Sequence, residues 1–394
     1  VDFGIMGEPA TLDPYAQTAS DLTFALVRPL YRSLYRLLPD GRPEADLVAG
    51  MEETSSGVKV RLREAVWSNG RPITAGDVVR SARRAGPPSG LAGLDAIVLG
   101  EREVGLVGKD DDWEQRLARV SFVLPRGRIR RGVYSGPLRL ARRTPGLQLV
   151  YKPNPRGEEV MLDRLRVWFV ERTGTLLTLL ENGELDAAAI PSTVNLAARL
   201  QERDIPFQKE LGWEAVWLDL SSLEPRSRRA VAGKVDRQEL QEGFVRGDGR
   251  ITNTLRPGPG SGSASGLFEE PRAVGSPGSF SLAVPKGDEL LDLAQRAIQL
   301  QLADADARLD LVTSDVRRFY GPWRREAPVD AFLLRSSGAP GMSDGAGRIR
   351  TYRAVPLFHV ATYLAGDLVA GFEVNPTLDG PLWNMPGWSR AKGR

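Results

Sequence analysis

Few residues in this chain are of types that do covalent or metal chemistry. The 394 residues include no cysteine and one histidine. Disulfides, thiol catalysis and cysteine-ligated zinc are therefore excluded. The histidine, His359, lies in the apolar stretch Val355-Pro-Leu-Phe-His-Val-Ala361. A satisfied structural imidazole is expected there ahead of a general base. No pair of zinc-binding histidines and no phosphate-cradling loop followed by lysine is present. Arginine is abundant, and Arg126–Arg131 (RGRIRR) and Arg226–Arg229 (RSRR) are the densest basic runs. These read as solvated faces ahead of phosphate contacts. The formal net charge of +3 is too small and too dispersed for a dedicated nucleic-acid binder.

The elements that must carry a binding surface alternate between strand and helix. Asp2–Met6 reads as a strand broken by the prolines of Glu8-Pro-Ala-Thr-Leu-Asp-Pro14. Leu22, Ala25, Leu26, Leu30, Leu34 and Leu37 recur at helical spacing and predict a helix over Asp21–Leu38, with Ser20 or Asp21 as its N-cap. Val58–Leu62 alternates as a strand, the turn Trp67-Ser-Asn-Gly-Arg-Pro72 follows, and Thr74 or Ala75 opens a helix. Gly86–Tyr134 is poorly patterned. Leu147–Tyr151, Leu165–Val170, Ala187–Ile190 and Val216–Leu220 read as strands, Leu176–Leu180 begins a helix, and Arg226–Phe244 reads as one helix. Pro257–Gly278, rich in Gly, Ser and Pro, is the clearest loop. Phe280–Val284, Leu290–Leu302 and Leu309–Val312 then form a βαβ unit, which builds a parallel sheet. Val329–Leu334 and Val355–Tyr363 add two further strands. The fold class is α/β with mixed sheets. The length suggests two or three domains, and no apolar run is long enough to cross a bilayer. The start at Val1 fits a mature product whose targeting segment has been removed.

The order of these segments resembles family 5 of the extracellular solute-binding proteins, the group of dipeptide, oligopeptide and nickel receptors of ABC importers. Thr11-Leu-Asp-Pro14 and Leu30-Tyr-Arg-Ser-Leu34 match its opening. Leu62-Arg-Glu-Ala-Val-Trp67-Ser-Asn-Gly70, with Pro72-Ile-Thr-Ala75 and Asp77-Val-Val-Arg-Ser81, is similar to its most diagnostic motif. Ser135-Gly-Pro-Leu138, Asn154-Pro155, Gly183-Glu-Leu-Asp-Ala187, Val235-Asp-Arg237, Val329-Asp-Ala331 and Val355-Pro-Leu357 follow in the family's order. Two departures stand out. Length is missing from Gly86–Tyr134 and after Pro257. The stretch Arg335-Ser-Ser-Gly-Ala-Pro-Gly341 lacks the aspartate that pairs with a peptide's amino group, and a buried ammonium without a counter-charge is costly.

The resemblance implies a periplasmic-binding-protein-like fold of class II type, with two lobes, hinge strands and an abbreviated accessory subdomain. It assigns 1–40 to lobe I, 41–136 to the reduced accessory subdomain, 137–222 to the rest of lobe I, 223–354 to lobe II and 355–394 to a return into lobe I. It implies an extracytoplasmic receptor, periplasmic or cell-surface, that captures a peptide or peptide-like solute in a cleft and hands it to a membrane permease. Such a receptor is a monomer associated with the membrane through that permease or a lipid anchor. No cofactor, metal site, enzymatic activity or nucleic acid is implied.

By the same resemblance, the solute would meet Ser20, Thr23 and Phe24 in the first lobe and Arg335, Ser336 and Ser337 opposite, with Trp213 and Glu214 near the hinge. Phe24 and Trp213 offer apolar contact, Ser336 and Ser337 adaptable hydrogen bonds, and Arg335 a bidentate partner for a carboxylate. The plainer readings are core packing for Phe24 and Trp67 and an ion pair for Arg335. The alternatives in function are the sensory module of a regulator with the same fold, a receptor for a pre-chelated metal or haem, and a hydrolase.

Overall fold

The structure is a computed structural model that describes the chain except residues 87–88, 111, 127–131, 254–267, 273–274, 305–306, 316–318, 320–327, 337–344, 368 and 391–394. The side chains of residues 212, 213, 336 and 345–347 are likewise outside the description. The chain forms two compact units, one made of Val1–Ala189 with Leu364–Arg394 and the other of Ile190–Tyr363.

In the first unit, strand β1 (Asp2–Met6) buries Phe3 and Ile5 on one face, as its alternation requires. Helix α1 (Asp21–Val27) follows, then β2 (Tyr35–Leu37), β3 (Pro43–Ala45), β4 (Val48–Thr54), β5 (Gly57–Leu62), α2 (Ala75–Arg84), β6 (Asp95–Val98), β7 (Glu103–Val107) and α3 (Trp113–Leu117). Next come β8 (Leu138–Thr144), β9 (Gln148–Pro153), β10 (Leu165–Val170), α4 (Thr173–Glu181) and β11 (Ala187–Pro191), which runs on into the second unit. The main sheet of this unit has the order β11-β1-β10-β9-β8. Its β1 is parallel to both neighbours, with Ile5 opposite Phe169 and Ala189, whereas β9 is antiparallel to β10 and β8. A separate antiparallel sheet, β4-β5-β7-β6, lies within 48–107.

The helix predicted over Asp21–Leu38 stops at Val27. Pro29, two residues on, has no N–H to continue the ladder. Leu30, Leu34 and Leu37 are nonetheless 0–2% exposed, so the leucine spacing marked burial and not helix. Gly86–Tyr134, which carried little pattern, supplies β6, β7 and α3.

The second unit contains α5 (Leu196–Gln201), β12 (Phe207–Asp219), α6 (Pro225–Lys234), α7 (Arg237–Phe244), β13 (Gly249–Ile251), β14 (Ser279–Pro285), α8 (Glu289–Ala303), β15 (Arg308–Ser314), β16 (Ala331–Ser336), α9 (Gly345–Arg350) and all but the last two residues of β17 (Ala354–Ala365). Its sheet has the order β15-β14-β16-β12-β17. The βαβ unit forms as expected, with β14 and β15 parallel and in register from Ser279 opposite Arg308 to Pro285 opposite Ser314. Leu290, Leu291, Ala294, Ile298 and Leu302 make the buried stripe of α8 against that sheet. Arg226–Phe244 is two helices and not one: the first ends at Lys234 with Val235 extended as its C-cap, and Asp236 caps the second, accepting the Glu239 N–H at 2.9 Å. Beyond β17 the chain returns to the first unit with the short pair β18 (Val369–Ala370) and β19 (Ser389–Arg390).

Candidate functional site

The motif around Trp67 is structural. Its indole is fully buried and donates from Nε1 to Asp77 Oδ2 at 3.4 Å. Asp77 also accepts the Thr74 N–H at 3.0 Å, and together Thr74 and Asp77 form a capping box at the start of α2. Arg80 pairs with the same carboxylate, and Arg71 Nη2 lies 3.5 Å from it. Gly70 takes φ +84°, a turn conformation that favours glycine. Two further motifs, distant in sequence, meet each other. Asn154 Nδ2 donates to the Gly136 carbonyl at 2.7 Å, and the Gly136 N–H donates to the Leu30 carbonyl at 2.9 Å. A Cβ on Gly136 would stand 2.5 Å from the Pro29 oxygen, so this backbone approach admits only glycine.

Ser20, Thr23 and Phe24 come together at α1. Ser20 is the N-cap, its N–H donating to Thr23 Oγ1 at 3.2 Å, and the Thr23 hydroxyl donates to the Thr11 carbonyl at 3.1 Å. Thr23 is 0% exposed and Phe24 2%, so both side chains pack inward and Ser20 alone of the three is half-buried. Arg28, at the end of the same helix, is buried and paired with Asp379 of the C-terminal return. Asp379 also accepts the Leu37 N–H, and Asn375 Nδ2 donates to the Leu37 carbonyl at 3.0 Å.

Glu214 and Arg335 come together in the second unit. Val216 of β12 lies opposite Arg335 of β16, and Arg335 Nε donates to Glu214 Oε1 at 2.9 Å. Arg335 Nη1 donates to the Ser192 carbonyl at 3.1 Å and lies 3.3 Å from Asp288 Oδ2. The arginine is buried, while both carboxylates are partly exposed. Asp288 also caps α8, accepting the Leu291 N–H at 3.1 Å. Although the stretch 337–341 carries no acid, this cluster holds two carboxylates. Asp288 was not recognised from sequence. Its signal was its place in Lys286-Gly-Asp288, just ahead of the apolar run of α8, where an N-cap belongs.

Trp213 falls within β12 and Ser336 within β16, but their side chains lie outside the described residues, as does Ser337 altogether. Ser20, Thr23 and Phe24 belong to the first unit; Trp213, Glu214, Arg335, Ser336 and Ser337 belong to the second.

His359 is buried in β17 opposite Arg250 of β13. Burial pushes its pKa below the usual histidine value; the Glu214 backbone opposes this and the Arg250 charge adds to it. A buried imidazole whose pKa is lowered is a weaker base than a free one, and its place in a buried strand restricts a substrate's approach. One hydrolase-like string, Gly341-Met-Ser-Asp-Gly345, has nucleophile-elbow spacing, but residues 341–344 lie outside the described residues. Among the described residues no group of three or more His, Asp or Glu side chains is placed to hold a metal, and no helix is long and apolar enough to cross a membrane.

The first unit has a recess of about 560 Å³ beside β10 and α4, lined by Trp168, Phe169, Arg172, Thr175 and Leu179 among others; none of the candidate solute contacts named from sequence lines it.

Comparison with known proteins agrees with this architecture. The family model for bacterial extracellular solute-binding proteins, family 5, matches residues 43–295. The chain belongs to that family. A comparison with curated proteins finds no match. Among solved structures, the oligopeptide-binding protein AppA from Bacillus subtilis, in complex with a nonapeptide, aligns at TM-score 0.77 and 15% identity, over 99% of this chain and 98% of that one. AgaA from A. tumefaciens R10, in complex with agropinic acid, aligns at TM-score 0.77 and 16% identity, over 100% and 99%. NikZ from Campylobacter jejuni, in complex with Ni(L-His), aligns at TM-score 0.75 and 14% identity, over 98% and 99%. The fold is thus the two-lobe α/β fold of these binding proteins.

Proposed function

We propose that this protein is the receptor subunit of an ABC importer, capturing a peptide or peptide-like solute outside the cytoplasm and presenting it to a membrane permease. The observation that carries this reading is the family match over residues 43–295. Similarly folded proteins hold a nonapeptide, agropinic acid and a nickel–histidine complex, a range that fits a site adaptable in polar contacts. On this reading the protein is a monomer and is held at the membrane by its permease or by a lipid anchor. Residues 41–136 form a reduced accessory subdomain of lobe I, 223–354 form lobe II, and 355–394 return to lobe I.

Ser20, Thr23 and Phe24 on one unit and Trp213, Glu214, Arg335, Ser336 and Ser337 on the other are the candidate solute contacts. The Arg335 cluster supports a polar role for its side of the site. Because Glu214 and Asp288 already engage the guanidinium, a solute carboxylate would compete with them, and a solute amine would find two acceptors. Solute is proposed to bias a rearrangement of the two units, which can shift only as far as its affinity for the two arrangements differs.

The test is a thermal-shift screen of short peptides and small organic acids on the purified chain, since a ligand of the native form raises its melting temperature. Short peptides should give the hits, and Arg335→Ala should weaken them. A screen in which peptides and peptide-like acids all leave the melting temperature unchanged would overturn the reading.

A further inference from the structure

A second, smaller site lies in the first unit, and none of the residues named above as a solute contact lines it. Arg80 and Arg84, one turn apart on α2, and Arg126, beyond β7 and α3, line a cavity of about 130 Å³ together with Ser81, Leu124 and Pro125. A single water needs only ~10–15 Å³ of such space, so the cavity admits a tetrahedral oxyanion. The wall is made to keep its shape. The Ser81 hydroxyl donates to the Asp77 carbonyl at 2.9 Å and accepts the Leu124 N–H at 2.9 Å, which ties α2 to the segment that presents Arg126.

The charges do not balance. Arg80 is met by Asp77 and Arg84 by Asp13, at 2.5 Å in the second case. Arg71 shares Asp77 at 3.5 Å, and Arg126 makes no ion pair with a described residue. Four guanidiniums therefore face two carboxylates. Burial depresses the Arg80 pKa most, Asp77 opposes, and Arg126 and Arg71 depress it further, the mark of cations crowding one another. The C-terminal turn of α2 would by itself repel an anion, so any attraction comes from the side chains.

We propose that the cavity bounded by Arg80, Arg84 and Arg126 is an anion-binding site for a phosphate-type oxyanion, either free in solution or carried on a phospholipid headgroup. Guanidinium forks match phosphate oxygens in pairs, and a dianion between Arg80 and Arg126 relieves their repulsion. The site is independent of the solute reading and stands if that reading fails.

The experiment uses the whole chain. Inorganic phosphate is titrated against it by calorimetry and thermal shift, with potassium chloride at matched ionic strength as control. In parallel, the chain is sedimented with vesicles of phosphatidylglycerol in phosphatidylcholine and with phosphatidylcholine alone. Phosphate should raise the melting temperature beyond chloride, and Arg126→Ser should lose about tenfold in affinity, the size of one charge-assisted contact. Arg126→Lys should recover part of it. Arg126 is exposed and makes no ion pair with a described residue, so its replacement leaves the fold intact; unchanged denaturant midpoints check this. Retention on the phosphatidylglycerol vesicles identifies a headgroup as the source, and phosphate binding without retention identifies the free ion. Equal shifts with phosphate and chloride, or full affinity in Arg126→Ser, would overturn the proposal.

Discussion

Arg335 Nε and Glu214 Oε1 lie 2.9 Å apart, joining neighbouring strands β16 and β12 through a buried guanidinium. Asp288, from the N-cap of α8, completes the arrangement from a third element. Removing one member of a buried charge cluster leaves the others without their counter-charge, which costs more than the cluster itself contributes. Arg335→Ala should therefore destabilise the protein by about 3 kcal/mol, read as a lower urea midpoint. Glu214→Gln should cost less, because Asp288 still faces the arginine. Equal stability of Arg335→Ala and the parent would show that the cluster is already solvated.

The Trp67 motif predicts a graded pair of effects. Thr74→Ala removes half of a capping box and should cost about 1 kcal/mol. Asp77→Ala removes the acceptor for Trp67, for the Thr74 N–H and for two arginines, and should cost about 3 kcal/mol. Chemical denaturation of both variants checks the order; a reversed order would refute the capping account.

A third prediction concerns Gly136. A methyl group there meets the Pro29 carbonyl oxygen, a backbone atom with no freedom to swing aside. Gly136→Ala should destabilise by about 2–3 kcal/mol, as overpacking does. Gly174→Ala, where a Cβ meets nothing within 4 Å, should leave the melting temperature within a degree or two of the parent and serves as the control.

The pH dependence follows from His359. Its pKa is lowered in the folded protein, so between that value and the ordinary value of ~6.5 the unfolded chain binds the extra proton. Stability must then fall as pH drops below the ordinary histidine value, and it must recover as pH rises. Melting temperatures measured from neutral to mildly acidic pH should decline, and His359→Phe should flatten that part of the profile. A slope unchanged in His359→Phe would assign the proton uptake to other groups.

Much of the fold could be read from the sequence, and the exceptions have physical causes. The βαβ unit from Ser279 to Ser314 was legible because each strand is short, apolar and bounded by turns, and because α8 keeps its stripe for four turns. The helix expected over Asp21–Leu38 was not, since buried leucines recur at three and four whether the chain coils or turns, and Pro29 decides between the two. The family motifs were visible as strings, but their joint purpose was not. Asn154 and Gly136 stand eighteen residues apart and are joined only through a hydrogen bond to a carbonyl. The Arg335 partners were hidden for the same reason. Glu214 is 121 positions away and Asp288 is 47, and no local pattern announces a contact made by sheet order.

The buried pairing of Arg28 with Asp379 ties the first helix of the chain to its last segment. On a ribosome those two residues are made far apart in time, with the whole of Ile190–Tyr363 emerging between them. The uninterrupted second unit can complete itself early, while the first unit keeps an unfilled seat for its closing segment until Leu364–Arg394 has emerged. A chain truncated before Asp379 would therefore fail at its beginning, leaving Arg28 charged and enclosed with its counter-ion missing.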